Sequence, residues 1–105
     1  MAIATDLGTA EMIGGLQQLE RRLRHMGITR LAIFGSRARG DYRPDSDLDV
    51  LIDVEGGRKF SLLDLVGVAH AIEDTMDVKA NVFMRRSLNA QMAASIQPDI
   101  IEVFS

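Results

Sequence analysis

The chain has 105 residues, 47% apolar and 26% charged, with a formal net charge of −3 and no cysteine. That length fits a single domain over 1–105, and so short a chain buries only about 60–65% of its unfolded surface, which makes exposed apolar patches costly. The absence of cysteine excludes disulfide scaffolds, thiolate zinc sites and cysteine nucleophiles and suits a cytoplasmic location, while two histidines, His25 and His70, are too few for a histidine-rich metal centre.

The start, MAIATDLGTAEM, lacks the basic residues and apolar run of a signal peptide. No apolar stretch approaches the ~20 residues of a membrane span. A first helix is predicted over about Thr9–Met26, where Met12, Leu16, Leu19, Leu23 and Met26 recur at spacings of three and four. Gly27 stands where a helix-ending residue with positive φ is favoured, and Gly14 and Gly15 weaken the first turns. Arg21, Arg22 and Arg24 read as its solvated face, with His25 in the last turn. Thr29–Phe34 is a β-prone run ending at Gly35, and Leu48–Val54 is the strongest strand signal, closed by Gly56-Gly57.

A second long helix starts after Ser61, because Ser61-Leu62-Leu63-Asp64 has the form of a capping box. Leu62, Leu65, Val66, Ala69, Ile72 and Met76 are its expected buried face, and His70 is expected to be half-buried. Val78–Phe83 reads as a third strand. Another helix from about Ser87 turns Leu88, Met92 and Ile96 inward and stops before Pro98, and Ile100–Phe104 reads as a last strand. Strands separated by helices predict an α/β (α+β) fold, a small mixed sheet with helices packed on it.

The chemistry concentrates between the first two strands, in Phe34-Gly35-Ser36-Arg37-Ala38-Arg39-Gly40 and Asp41-Tyr42-Arg43-Pro44-Asp45-Ser46-Asp47-Leu48-Asp49. A strand that turns at Gly35-Ser36 into a short helix exposes backbone N–H groups suited to a phosphate, with Arg37 and Arg39 in reach. Asp47 and Asp49, two apart on a strand, put their carboxylates on one face about 6.5–7 Å apart. At that separation they repel by roughly 2–2.5 kcal/mol at an effective dielectric near 20. A Mg²⁺ ion, which is commonly held by carboxylates together with substrate phosphates, would reverse the sign. Taken singly, Gly-Ser reads as an ordinary strand-ending turn and Asp-x-Asp as a solvated strand edge. The combination is what carries the signal. The basic residues, ten Arg against two Lys, favour forked phosphate contacts, whereas the acidic balance argues against general nucleic-acid binding.

Gly35-Ser36, ten residues, then Asp47-x-Asp49, with Arg39-Gly40 and Ser46 inside, resembles the signature of polymerase-β-like nucleotidyltransferases. Length and helix–strand order resemble the minimal nucleotidyltransferases, over about Met12 to Phe104. The resemblance implies phosphate and nucleotide binding by Gly35, Ser36, Arg39 and Ser46. It implies catalytic and metal-binding roles for Asp47 and Asp49, with Mg²⁺ as cofactor and ATP as co-substrate. It further implies an antitoxin paired with a HEPN-type toxin in a hetero-oligomer, moving AMP from ATP to a toxin hydroxyl such as a tyrosine. The family's third carboxylate, in a context like Lys-Val-Asp-Leu-Val, aligns here with Asn81 in Lys79-Ala80-Asn81-Val82-Phe83. Asp77 could replace it only in another strand register, and Asp53 lies at the far end of its own strand. Asn81 therefore keeps a second reading open, an impaired nucleotidyltransferase that neutralises its toxin by binding alone. A third reading, a transferase acting on a small molecule or an RNA end, fits poorly. The phosphate cradle and the strands use up nearly the whole chain, so the acceptor is expected on a partner protein.

Overall fold

A computed structural model of the chain describes residues 8–57 and 59–105. The segment read for a leader lies, as far as Leu7, outside the described residues. The helices α1 (Thr9–Gln18) and α2 (Glu20–His25) lead into β1 (Ile28–Phe34), α3 (Gly35–Arg39) and β2 (Leu48–Val54). Then come α4 (Leu62–Met76), β3 (Ala80–Met84), α5 (Ala90–Ile96) and β4 (Ile101–Phe104), with single 3₁₀ turns at Arg85–Ser87 and Gln97–Asp99. The strands form one mixed sheet in the order β3-β2-β1-β4. β1 runs antiparallel to β2 and β4, and β2 runs parallel to β3. The parallel pair follows from α4, since a parallel neighbour needs a crossover connection. The mixed sheet with packed helices is the architecture that the helix–strand order predicts.

Alternation along β1 and β2 explains why both faces of the sheet are covered. Leu31, Ile33, Leu48, Val50 and Ile52 face a large core shared with Met12 and Leu16 of α1, Leu23 of α2, and Val68 and Ile72 of α4. Ala32, Phe34 and Leu51 point the other way, into a smaller cluster with Ile96 of α5 and the partly buried Phe83, Leu88 and Met92. Asp49 and Asn81 belong by the same alternation to this second face, beyond the end of its apolar cluster.

Several local expectations change. The first helix is two, because Leu19 (φ −88°, ψ −2°) interrupts it, although the apolar stripe continues through the break. Gly15 leaves room for the end of the Met76 side chain of α4: a Cβ there would stand 2.5 Å from Met76 Sδ. Gly27 ends α2 with φ +99°, as read. Arg24 is not merely solvated. It donates to Glu20, to the Thr29 and Ser105 carbonyls, and lies over the Phe104 ring.

Ser61 and Asp64 form the capping box, with Ser61 Oγ accepting from the Asp64 N–H and Asp64 Oδ2 accepting from the Ser61 N–H. The buried face of α4, however, is Val68, Ala71, Ile72 and Met76. Leu62 and Val66 are exposed and His70 is exposed too, because β3 is the sheet's edge and, among the described residues, no strand lies beyond it to cover that flank. The last helix begins at Ala90 rather than Ser87, where the Asn89 side chain accepts from the Met92 N–H.

This division predicts a contrast. Leu16 is fully buried and Leu63 is 80% exposed. Leu16→Ala should cost about 3–5 kcal/mol through lost burial and the cavity left behind, whereas Leu63→Ala should stay within about 0.5 kcal/mol. Urea melts of the two variants check it.

Candidate active site

The site forms at one end of the second face, where three neighbouring strands meet a tight turn. β1 ends at Phe34, which pairs with Asp49 of β2, and Asp49 pairs in turn with Asn81 of β3. Register therefore brings together residues that are 32 positions apart in sequence. Asp47 lies just before β2 and is exposed, while Asp49 is half-buried. The Asn81 Nδ2 donates to Asp47 Oδ2 at 3.1 Å and to Asp49 Oδ1 at 3.2 Å. Both carboxylates thus converge on one amide nitrogen, although Asp47 stands just before β2 rather than on the strand, where the Asp-x-Asp spacing places it.

Gly35 closes the other side. Its φ of +76° lies in the left-handed region, and a Cβ on it would collide with Asp49 Oδ2. Glycine is needed for two separate reasons here, the backbone conformation and the approach of a carboxylate. The turn opens α3, with Ser36 partly exposed beside it.

Burial of Asp49 pushes its carboxyl above the usual carboxylate range; donation from Asn81 opposes this, the charge of Asp47 adds to it, and Arg39 offsets part. An ionised pair is under-neutralised here. That is the electrostatic condition a cation would relieve.

The structure separates the arginines. Arg39 is exposed and bonds Asp41 Oδ2 at 3.1 Å and Asp99 Oδ2 at 2.8 Å, tying α3 to the last 3₁₀ turn while its charge still reaches Asp49. Arg37, read as a phosphate neighbour, is 2% exposed and turned inward. Its Nε and Nη2 donate to the Ser46 carbonyl at 3.1 and 3.0 Å, Nη2 also reaches the Pro44 carbonyl, and the guanidinium lies 4.3 Å from the Tyr42 ring centre. Arg37 therefore fastens the loop whose next residue is Asp47. No sequence pattern marks that role, because the carbonyls it holds carry no side-chain signal.

Ser46 also helps shape this loop. Its Oγ accepts from the Arg43 N–H at 2.8 Å, and its own N–H donates to the Arg43 carbonyl. Asp77 is the left-handed residue after α4 and lies outside β3, which starts at Ala80, so the register with Asn81 opposite Asp49 stands. Asp53 is held by Arg85 at 2.8 Å, and Arg85 also reaches Glu102, so Arg85 is a bridge across the far end of this face.

Among the described residues no three acidic, imidazole or thiol groups are placed to share a metal. The two carboxylates suit a single oxygen-preferring divalent ion whose remaining ligands would come from substrate, while Asn81 turns its nitrogen toward them. No helix among the described residues is long and apolar enough to cross a membrane.

Residues 16–102 match the family model described as the nucleotidyltransferase domain. The chain belongs to the nucleotidyltransferase-domain family. It is 29% identical over 77 residues to the protein adenylyltransferase MntA of Thermococcus cleftensis, spanning 73% of this chain and 76% of that protein. Its fold is similar to that of a solved, provisionally named minimal nucleotidyltransferase, with TM-score 0.77 and 28% identity over 93% of this chain and 98% of the other. It also resembles a chain of the solved complex of tri-AMPylated Shewanella oneidensis HEPN toxin with MNT antitoxin, with TM-score 0.58 and 14% identity over 85% of this chain and 72% of the other. At that identity the last likeness speaks for the nucleotidyltransferase fold alone.

Proposed function

We propose that the chain is the antitoxin of a HEPN-type toxin pair and transfers AMP from ATP to a toxin hydroxyl, with a tyrosine as acceptor, in the cytoplasm. The observation that carries this reading is the meeting of Asp47 and Asp49 on one nitrogen beside Gly35, in a nucleotidyltransferase-family chain. The likeness to a protein adenylyltransferase supports the substrate class, and the partner follows from the antitoxin resemblance of the motif.

Asp47 and Asp49 would hold Mg²⁺, which supplies charge neutralisation at the triphosphate and polarises the α-phosphoryl group. Gly35 and Ser36 would bind the phosphates at the turn into α3. Arg39 would add a positive charge in reach of the nucleotide by leaving Asp41 or Asp99. Ser46 would act mainly by shaping the loop before Asp47. In the transfer, the partner's hydroxyl oxygen forms a bond to the α-phosphorus, the α–β P–O bond breaks, and pyrophosphate departs with the bonding electron pair. Asn81 cannot take the hydroxyl proton, so this leaves to water or to a base on the partner.

Asn81 also supports a second reading, neutralisation by binding without transfer. The test is incubation of the chain and its toxin with labelled ATP and Mg²⁺, followed by mass spectrometry of the toxin. The expected result is AMP on a toxin tyrosine together with loss of toxicity. Neutralisation with unlabelled toxin would instead establish occlusion.

A further inference from the structure

Asn81 is more than a missing carboxylate. A carboxamide nitrogen carries two hydrogens and no acceptor capacity, enough to give one N–H to Asp47 and the other to Asp49, both within hydrogen-bond distance of it. Neither carboxylate is bonded to an arginine or lysine among the described residues, and the hydrogen bonds of the nearby Arg39 go to Asp41 and Asp99. The amide is therefore the group that bonds two like charges on one side of the sheet, with Arg39 contributing only its charge from a distance. Its other end is an oxygen of nearly the same shape, and turning the amide over exchanges donor for acceptor at one spot.

We propose that the Asn81 carboxamide is a neutral latch, bridging Asp47 and Asp49 through its nitrogen in the metal-free chain and turning over to offer Oδ1 when a divalent cation enters. The proposal rests on the nucleotidyltransferase reading of the site. It has a binding consequence. A free cation must displace two hydrogen bonds and gains only two negative charges, so it binds weakly alone and enters together with a nucleotide, whose phosphates supply further anionic oxygens. Asp at position 81 would lose the latch and add a charge. The metal-free site would then repel itself, and the cation would bind more tightly.

The test combines a nuclear magnetic resonance signature with a calorimetric one. In ¹⁵N-labelled chain, the side-chain NH₂ pair of Asn81, assigned by its loss in Asn81→Asp, is followed while Mg²⁺ and a non-hydrolysable ATP analogue are added. The expected result is a clear shift of this pair and at least about tenfold faster hydrogen exchange as the two bonds are released. An unmoved pair in a sample that calorimetry shows to be cation-loaded overturns the latch and leaves the nucleotidyltransferase reading intact. No cation binding with or without the analogue overturns both. In parallel, Asn81→Asp should bind Mn²⁺ alone on the order of tenfold more tightly than wild type, because affinity follows ligand charge count. It should also show a lower Tm without metal and a larger rise with it. Equal Mn²⁺ affinity in the two proteins would show that residue 81 does not face the cation, and would overturn the proposal.

Discussion

Asp49→Asn is expected to lower adenylyl transfer by on the order of 10³-fold, about 4 kcal/mol of transition-state stabilisation. The isosteric amide keeps the side chain in place but removes half of the negative charge that would hold the cation. Fold stability should not fall with it. Asp49 is half-buried, its ionised form is disfavoured by burial and by Asp47, and Asn81 can bond an amide oxygen as well as a carboxylate. The variant should thus melt at or slightly above the wild-type temperature while transferring almost no label. Paired label-transfer and thermal-melt measurements check this. A transfer rate within a few-fold of wild type would remove Asp49 from the cation site.

Gly35→Ala and Gly40→Ala form the second comparison, because they share one strain and differ in one contact. Both glycines have positive φ, +76° and +90°, so each alanine carries about 1–2 kcal/mol of backbone strain. At Gly40 nothing lies within 4 Å of the added Cβ, whereas at Gly35 the Cβ would meet the Asp49 carboxylate. Asp49 would have to swing away from Asn81, and a misplacement of about 1 Å in such a constellation costs about 10²-fold in rate. Gly35→Ala should therefore lose transfer as well as stability, and Gly40→Ala only stability. Denaturant melts alongside label transfer separate the two effects. Equal losses of transfer would mean that strain alone, not the contact with Asp49, explains the need for glycine at position 35.

Much of this site is legible along the chain because its parts are local. Gly35, Asp47 and Asp49 lie within one turn-and-strand unit, and the Asp-x-Asp spacing suggests carboxylates on one side without knowledge of the rest of the fold, even though Asp47 stands just before β2. The Ser61–Asp64 cap and the end of α2 at Gly27 are equally local. Arg37 shows where that kind of inference stops. From its position beside Ser36 it reads as a phosphate contact, yet it is buried under the loop at 44–46, because main-chain carbonyls and the Tyr42 ring made a better home for its guanidinium. The flank of α4 fails for a related reason. Its apolar residues repeat at helical spacing, and periodicity does not say that β3 is an edge.

The alternation of helices and strands determined the mixed α/β class, and the Gly-Ser…Asp-x-Asp pattern determined the family resemblance and with it the residues proposed to meet phosphate and metal, since each depends on spacing within a few turns of chain. The resemblance placed Asn81 at the third-carboxylate position, but only the tertiary structure decided the register and the two hydrogen bonds that tie it to Asp47 and Asp49. That contact spans 34 and 32 residues and exists only because the α4 crossover lays β3 parallel to β2 in one register. Local sequence sets which way a side chain points along its strand. Which side chain it then meets is set by how the strands are docked, and that depends on the packing of the whole sheet.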